Sequence, residues 1–96
     1  MSAYVIVSYD IVDREAYEPY LAGVVPVLKK HGAEIVVADF DAKPLEGELR
    51  SVYVVLRFPS EEAARAWHDD PDYAPVKQLR YETCENNNMV IAKPAS

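Results

Sequence analysis

At 96 residues, half of them hydrophobic, the chain is sized for one domain whose thin core buries about 60 to 65 % of the unfolded surface. Its net charge of −6 and ten scattered Lys and Arg residues exclude nucleic acid as a partner, because phosphate recognition needs clustered cations. Cys84 is the single cysteine, so no internal disulfide can form and a reducing cytoplasm is the expected location.

The opening MSAYVIVSYDIVD has no basic segment before its apolar run and meets Asp10 early, so neither a signal peptide nor a membrane span is expected and the protein should be soluble. Within it, Ala3 to Val12 alternates Val5, Val7, Tyr9 and Ile11 with Tyr4, Ile6, Ser8 and Asp10, the period of a strand. Asp13 can cap a following helix, whose stripe of Tyr17, Leu21, Val24 and Leu28 would face a sheet. Pro26, close to Gly23, should bend or break the last turns of that helix, and His31 with Gly32 closes it as a C-terminal cation and a left-handed cap.

Glu34 to Asp41 reads as a second strand and Val52 to Phe58 as a third, joined by the polar segment from Ala42 to Ser51 that carries Pro44 and Gly47. Ser60 is a natural helix cap, Glu61 and Glu62 set negative charge at the positive helix end, and Ala63, Ala64 and Trp67 share a face. Pro71 stops this helix, and Asp72 can cap another that carries Tyr73, Val76 and Leu79. Asn86, Asn87 and Asn88 then form a turn into a last strand, Met89 to Ala92.

The order βαββαβ with right-handed crossovers predicts an α+β, ferredoxin-like domain: a four-stranded antiparallel sheet with both main helices on one face. The uncovered face would carry Tyr4, Ile6, Tyr53, Val55, Ile35 and Val37, a patch larger than monomers usually leave in water, so a homodimer joined sheet to sheet is expected.

The chain resembles the small bacterial family known as domain of unknown function 1330, in the dimeric α/β-barrel superfamily. The likeness lies in the Tyr4-Val-Ile-Val run, the Asp13 to Tyr20 helix start, Glu46-Gly47, Ser60 with the Ala-rich helix ending at Trp67, Pro71, Tyr73 and Arg80. Members usually carry a Gly-Gly pair before the second strand and an Arg-Gly-Gly-like end to it, where this chain has His31-Gly32-Ala33 and Ala38-Asp39-Phe40. The resemblance implies the fold and a dimer. Its superfamily includes cofactor-free monooxygenases, muconolactone-type isomerases, haem-degrading enzymes and stress-response proteins, so it implies a range of activities.

Two functional readings follow. The first is a cofactor-independent enzyme, monooxygenase-like or isomerase-like, acting on a small aromatic or enolisable molecule. The second is a non-catalytic binding or stress-related protein. Trp67, Tyr73 and Arg80 can line a cleft between helix and sheet, with Arg80 holding a carboxylate; in the plainer reading they are core residues and Arg80 pairs with a structural carboxylate. Glu46 is a candidate proton acceptor if a partner subunit buries it, or a residue that braces a turn. Asp10 is a further pocket candidate; pointing into the dimer interface it needs a donor, for which Ser51 or a residue of the second subunit are the candidates. His31 and His68 lie apart without ligand spacing, so no metal is expected; His31 suits a helix end and His68 a solvated turn beside Asp69. Cys84 has no basic neighbour to activate it. No cofactor is expected, and the partners in view are a second copy of the chain and a small-molecule ligand.

Overall fold

The computed structural model describes residues 2–96. Strand β1 (Ala3–Ile11) leads through a single turn α1 (Arg14–Tyr17) into α2 (Pro19–Lys30) and β2 (Glu34–Asp39). After a long loop come β3 (Val52–Phe58), α3 (Glu61–His68), α4 (Ala74–Thr83) and β4 (Cys84–Ala92). The strands form one antiparallel sheet in the order β2-β3-β1-β4, the ferredoxin-like α+β arrangement. Among the described residues no helix is long and apolar enough to cross a membrane.

The period-two pattern decides which side of the sheet is dry. Val5, Val7 and Tyr9 of β1 pair with Leu56, Val54 and Val52 of β3, and this side packs on Tyr17, Tyr20, Val24, Val27 and Leu28 from the helices. Tyr20 and Val27 thus carry the inner stripe of α2, while Leu21, expected there, is half exposed. Asp13 caps α1 by accepting from Ala16 N–H at 3.1 Å, and Ser60 caps α3 by accepting from Ala63 N–H at 3.1 Å.

Several expectations are corrected. Pro26 neither breaks nor ends its helix, which runs on to Lys30; Pro26 and Ala22 are both on the exposed side, where water can take up the freed carbonyl. The interruption falls instead before Pro19, whose missing N–H separates α1 from α2. Gly23 serves packing, because a Cβ there would meet Val76 Cγ2 of α4 at 3.0 Å. Strand β2 ends at Asp39, short of Asp41.

A bulge between Ile35 and Val37 shifts the register, so that Ile35 pairs with Leu56 on the helix side and Val37 with Val55 on the open side. Ile35 therefore does not belong to the uncovered face, which is made of Tyr4, Ile6, Tyr53, Val55, Val37 and Val90. Ile6, Val37 and Val90 stand 44, 42 and 47 % exposed.

The turn between α3 and α4 is organised by Asp70, not Asp72. Asp70 accepts from Asp72 N–H at 2.8 Å and is gripped by Lys30 Nζ at 2.8 Å and His31 Nε2 at 2.7 Å from the end of α2. Gly32 closes α2 with φ of 73°. The final strand begins at Cys84 directly after α4, so the three asparagines lie inside it: Asn86 and Asn87 form a bulge opposite Tyr9, with Asn86 at φ of 56°.

Lys30 foremost, then His31 and the Asp72 N–H, hold the Asp70 carboxyl well below the usual carboxylate range. A carboxyl with a depressed folded value stabilises the fold fully above the unfolded value of about 3.9, and the contribution drains away as pH falls from there through the folded value. Asp70→Asn should lower the urea midpoint at pH 7 and lower it by a clearly smaller amount at pH 2, compared by circular dichroism. An equal loss at both pH values would contradict this role.

Candidate functional site

Trp67 sits at the inner end of α3, Tyr73 at the start of α4 and Arg80 two turns later, and the Pro71 turn folds them together. The Tyr73 ring stacks on Trp67 at 4.6 Å between centroids. Its hydroxyl hydrogen-bonds that of Tyr20 at 2.9 Å, and Tyr9 and Tyr17 share a second hydroxyl pair at 2.6 Å. Arg80 lies between them. Its guanidinium carbon is 4.9 Å from the Tyr81 ring centre, 5.6 Å from Tyr9 and 6.0 Å from Tyr20.

Arg80 is 1 % exposed and donates through Nη1 to Asn87 Oδ1 at 2.6 Å. The β4 bulge brings Asn87 to this position, and Asn87 Nδ2 is in turn held by the Cys84 carbonyl at 3.2 Å. Among the described residues no carboxylate lies within ion-pair distance of Arg80, so the structural counter-ion considered for it is not there. Nor can the tyrosines neutralise it. Burial pushes the Tyr9, Tyr17 and Tyr20 hydroxyls above the ordinary phenol value, and it also raises the Cys84 thiol. An arginine keeps its proton in proteins, so a full positive charge is buried among neutral groups.

Two buried donors remain without an acceptor, Trp67 Nε1 and Arg80 Nε. Both border space. An apolar cavity of about 70 Å³ between α2 and the sheet is lined by Tyr9, Tyr20, Val24, Leu56, Trp67 and Met89. A solvent-open groove of about 220 Å³ on the β4 side is lined by Arg80, His68, Tyr81, Asn87, Asn88 and Met89. Met89 therefore stands between an apolar interior and a polar mouth, and its flexible thioether can yield to a ligand that spans them.

His68 is half-buried, with its ring 6.0 Å from Trp67 and 6.1 Å from Tyr73, and its remaining surface lines this groove. Burial first, then the charges of Lys77 and Arg80, lower its pKa against the pull of Asp69. Its imidazole is thus neutral at pH 7 and able to take a proton. Asn87 and Met89 join the site although nothing in the sequence marks them, because the β4 bulge and the groove beside it bring them to Arg80.

Glu46 and Asp10 are not brought to Arg80. Glu46 lies exposed on the loop between β2 and β3, beside Gly47 at φ of 79°. Asp10 accepts from Asn86 Nδ2 at 2.9 Å, Ser51 N at 2.8 Å and Arg50 Nη1 at 3.1 Å. Asn86 foremost, with Ser51 and Arg50, holds its carboxyl below the usual range against the opposing effect of desolvation. It ties β1, β3 and β4 together. Among the described residues no three His, Cys, Asp or Glu side chains converge closely enough to hold a metal ion.

The profile of the family described as Domain of unknown function (DUF1330) matches residues 2–94. The chain belongs to this family. No protein of curated function matches the DUF1330 chain in sequence. Among solved structures it is similar to the RPA0582 protein of unknown function from Rhodopseudomonas palustris, with TM-score 0.85 and 19 % identity over 99 % of this chain and 83 % of that one. It is also similar to a dimeric ferredoxin-like protein of unknown function from Jannaschia, with TM-score 0.70 and 12 % identity over 98 and 100 % of the two chains. A third neighbour is SnoaB, a cofactor-independent oxygenase from Streptomyces nogalater, with TM-score 0.71 and 9 % identity over 99 and 94 %. These identities establish a shared fold.

A buried cation kept for structure should cost stability when removed, whereas one kept for a ligand should not. Arg80→Met, which keeps the volume and drops the charge, should leave the melting temperature of the DUF1330 protein unchanged or higher. A loss of about 4 °C or more, the equivalent of 1 kcal/mol in a domain of this size, would contradict the functional assignment.

Proposed function

We propose that the protein is a homodimeric enzyme that enolises a small aromatic substrate and promotes its oxygenation by dioxygen without a cofactor. The observation that carries this reading is the charge of Arg80, buried among the described residues without a counter-ion and bordering the groove that it shares with His68. Such a charge is wasted on a neutral ground state and stabilises an oxyanion that develops during reaction. His68 takes the proton from carbon, Arg80 meets the enolate oxygen, and Trp67, backed by Tyr73, holds the ring plane. The fold similarity to SnoaB, described as a cofactor-independent oxygenase, supports the reaction class. For a benzylic methylene beside a ring ketone the balance is simple: the CH2 becomes C=O, one oxygen atom of O2 enters the product and the other leaves as water.

The dimer forms through the open sheet face. Ile6, Val37 and Val90 are apolar and half exposed there, and the Jannaschia neighbour is described as dimeric. The lone, buried Cys84 suits a reducing cytoplasm.

Anthrone in aerobic buffer with a chelator serves as the test substrate, followed by dioxygen uptake. The wild type should consume dioxygen and form the quinone, and His68→Ala should lower kcat by about 10²-fold or more. Binding of anthrone without uptake would favour the non-catalytic reading of the same pocket, and full activity in His68→Ala would remove the proposed base. Separately, sedimentation should show a dimer for the wild type and a monomer for Ile6→Glu/Val55→Glu. A monomeric wild type at micromolar concentration would overturn the assembly.

A further inference from the structure

The donors left over at the site define what they would accept. On Arg80, Nη1 is taken by Asn87 and the Tyr20 and Tyr73 hydroxyls lie beside the guanidinium, and Nε is a fully buried donor without a partner. Trp67 Nε1 is the other. Both are N–H groups, so the missing partner is an acceptor, and a ligand that brought a further donor would leave them unsatisfied. A carboxylate prefers the two-pronged face of a free guanidinium, whereas one remaining N–H matches one oxygen atom. Trp67, backed by Tyr73 stacked against it at 4.6 Å, is the aromatic surface that borders the cavity.

The geometry points to a hydroxyaromatic ligand bound as its phenolate, with its ring against Trp67 and its single anionic oxygen on Arg80. This rests on the pocket proposed above and adds the charge state and the class of compound that fills it. The groups facing the guanidinium are Tyr9 of β1, Tyr20 of α2, Tyr73 and Tyr81 beside or on α4 and Asn87 of β4, none of them acidic. Beyond them, Lys77 sits 5.7 Å from the Tyr73 ring centre, His68 lines the groove, and Asp10 is engaged by Asn86, Ser51 and Arg50. An anion entering here gains a counter-charge, while the matching neutral phenol gains only apolar contact. The bound phenol is thereby more acidic than the free one.

Trp67 is the single tryptophan of the chain, so its fluorescence reports occupancy of this site directly. The test titrates the wild-type protein with 4-nitrophenol and with its methyl ether, 4-nitroanisole, below the pH at which free nitrophenol ionises. Expected are saturable quenching of Trp67 by 4-nitrophenol, growth of the yellow phenolate band at constant pH from a pKa lowered by about one unit or more, and at least tenfold weaker binding of the ether. Arg80→Met should bind the phenol without the band. Quenching by 4-nitrophenol with no growth of the band, or equal affinity for the ether, would overturn the phenolate inference while leaving the pocket standing; these two arms need no variant. Growth of the band undiminished in Arg80→Met would overturn it as well. No quenching by either compound would remove the pocket itself.

Discussion

A positive charge at Arg80 is held almost wholly out of water, and no carboxylate answers it. Desolvating such a group costs several kcal/mol, and the surrounding architecture is arranged to limit that cost without cancelling the charge. Three tyrosine rings offer their faces, Asn87 offers a neutral oxygen, and the hydroxyls of Tyr9, Tyr17, Tyr20 and Tyr73 are paired with each other. Every one of these contacts softens the burial. None supplies a negative charge, and that imbalance is what suits the site to an anion that comes and goes.

The scaffold that holds this site is lopsided. Helices cover one face of the sheet, and on the other Ile6, Val55, Val37 and Val90 form an apolar strip. The site itself draws on elements far apart in sequence: β1 supplies Tyr9, α2 supplies Tyr20, α3 and α4 supply Trp67 and Arg80, and β4 supplies Asn87. Asp10 and Asp70 explain how these remain in register. Asp10 joins three strands at the end where Tyr9 meets the bulge, and Asp70 clamps the Pro71 turn to the end of α2. These two carboxylates are structural, and both are spent on cations and N–H groups that hold the site's frame.

What was legible in the sequence was local. The bounds of β3, the caps at Asp13 and Ser60 and the left-handed close at Gly32 follow from alternation, side-chain oxygens and a missing Cβ, which act within a few residues. Trp67, Tyr73 and Arg80 could be seen as a group because one short stretch with a proline turn carries them all. The rest depends on partners distant in sequence. A bulge at Val36 is decided by what β3 offers across the ladder, so the side taken by Ile35 could not be read from β2 alone. Asp70 and Asp72 look equivalent and both reach Lys30, but only Asp70 is buried and bound by His31. Likewise, a run of three asparagines reads as a turn, but pairing with β1 draws it into a strand and makes Asn87 a partner of Arg80. The lack of a counter-ion is the least legible property, since it concerns every carboxylate in the chain at once.

The most direct measurement of the account is the Arg80 Nε–H resonance in a 15N-resolved NMR spectrum, followed as 4-nitrophenol is added. A donor waiting for an anionic oxygen should move strongly downfield and become protected from exchange with water as the ligand saturates. An Nε–H signal that stays in place while Trp67 fluorescence shows the pocket filled would mean that Arg80 is not the group that receives the ligand, and the central claim would fall.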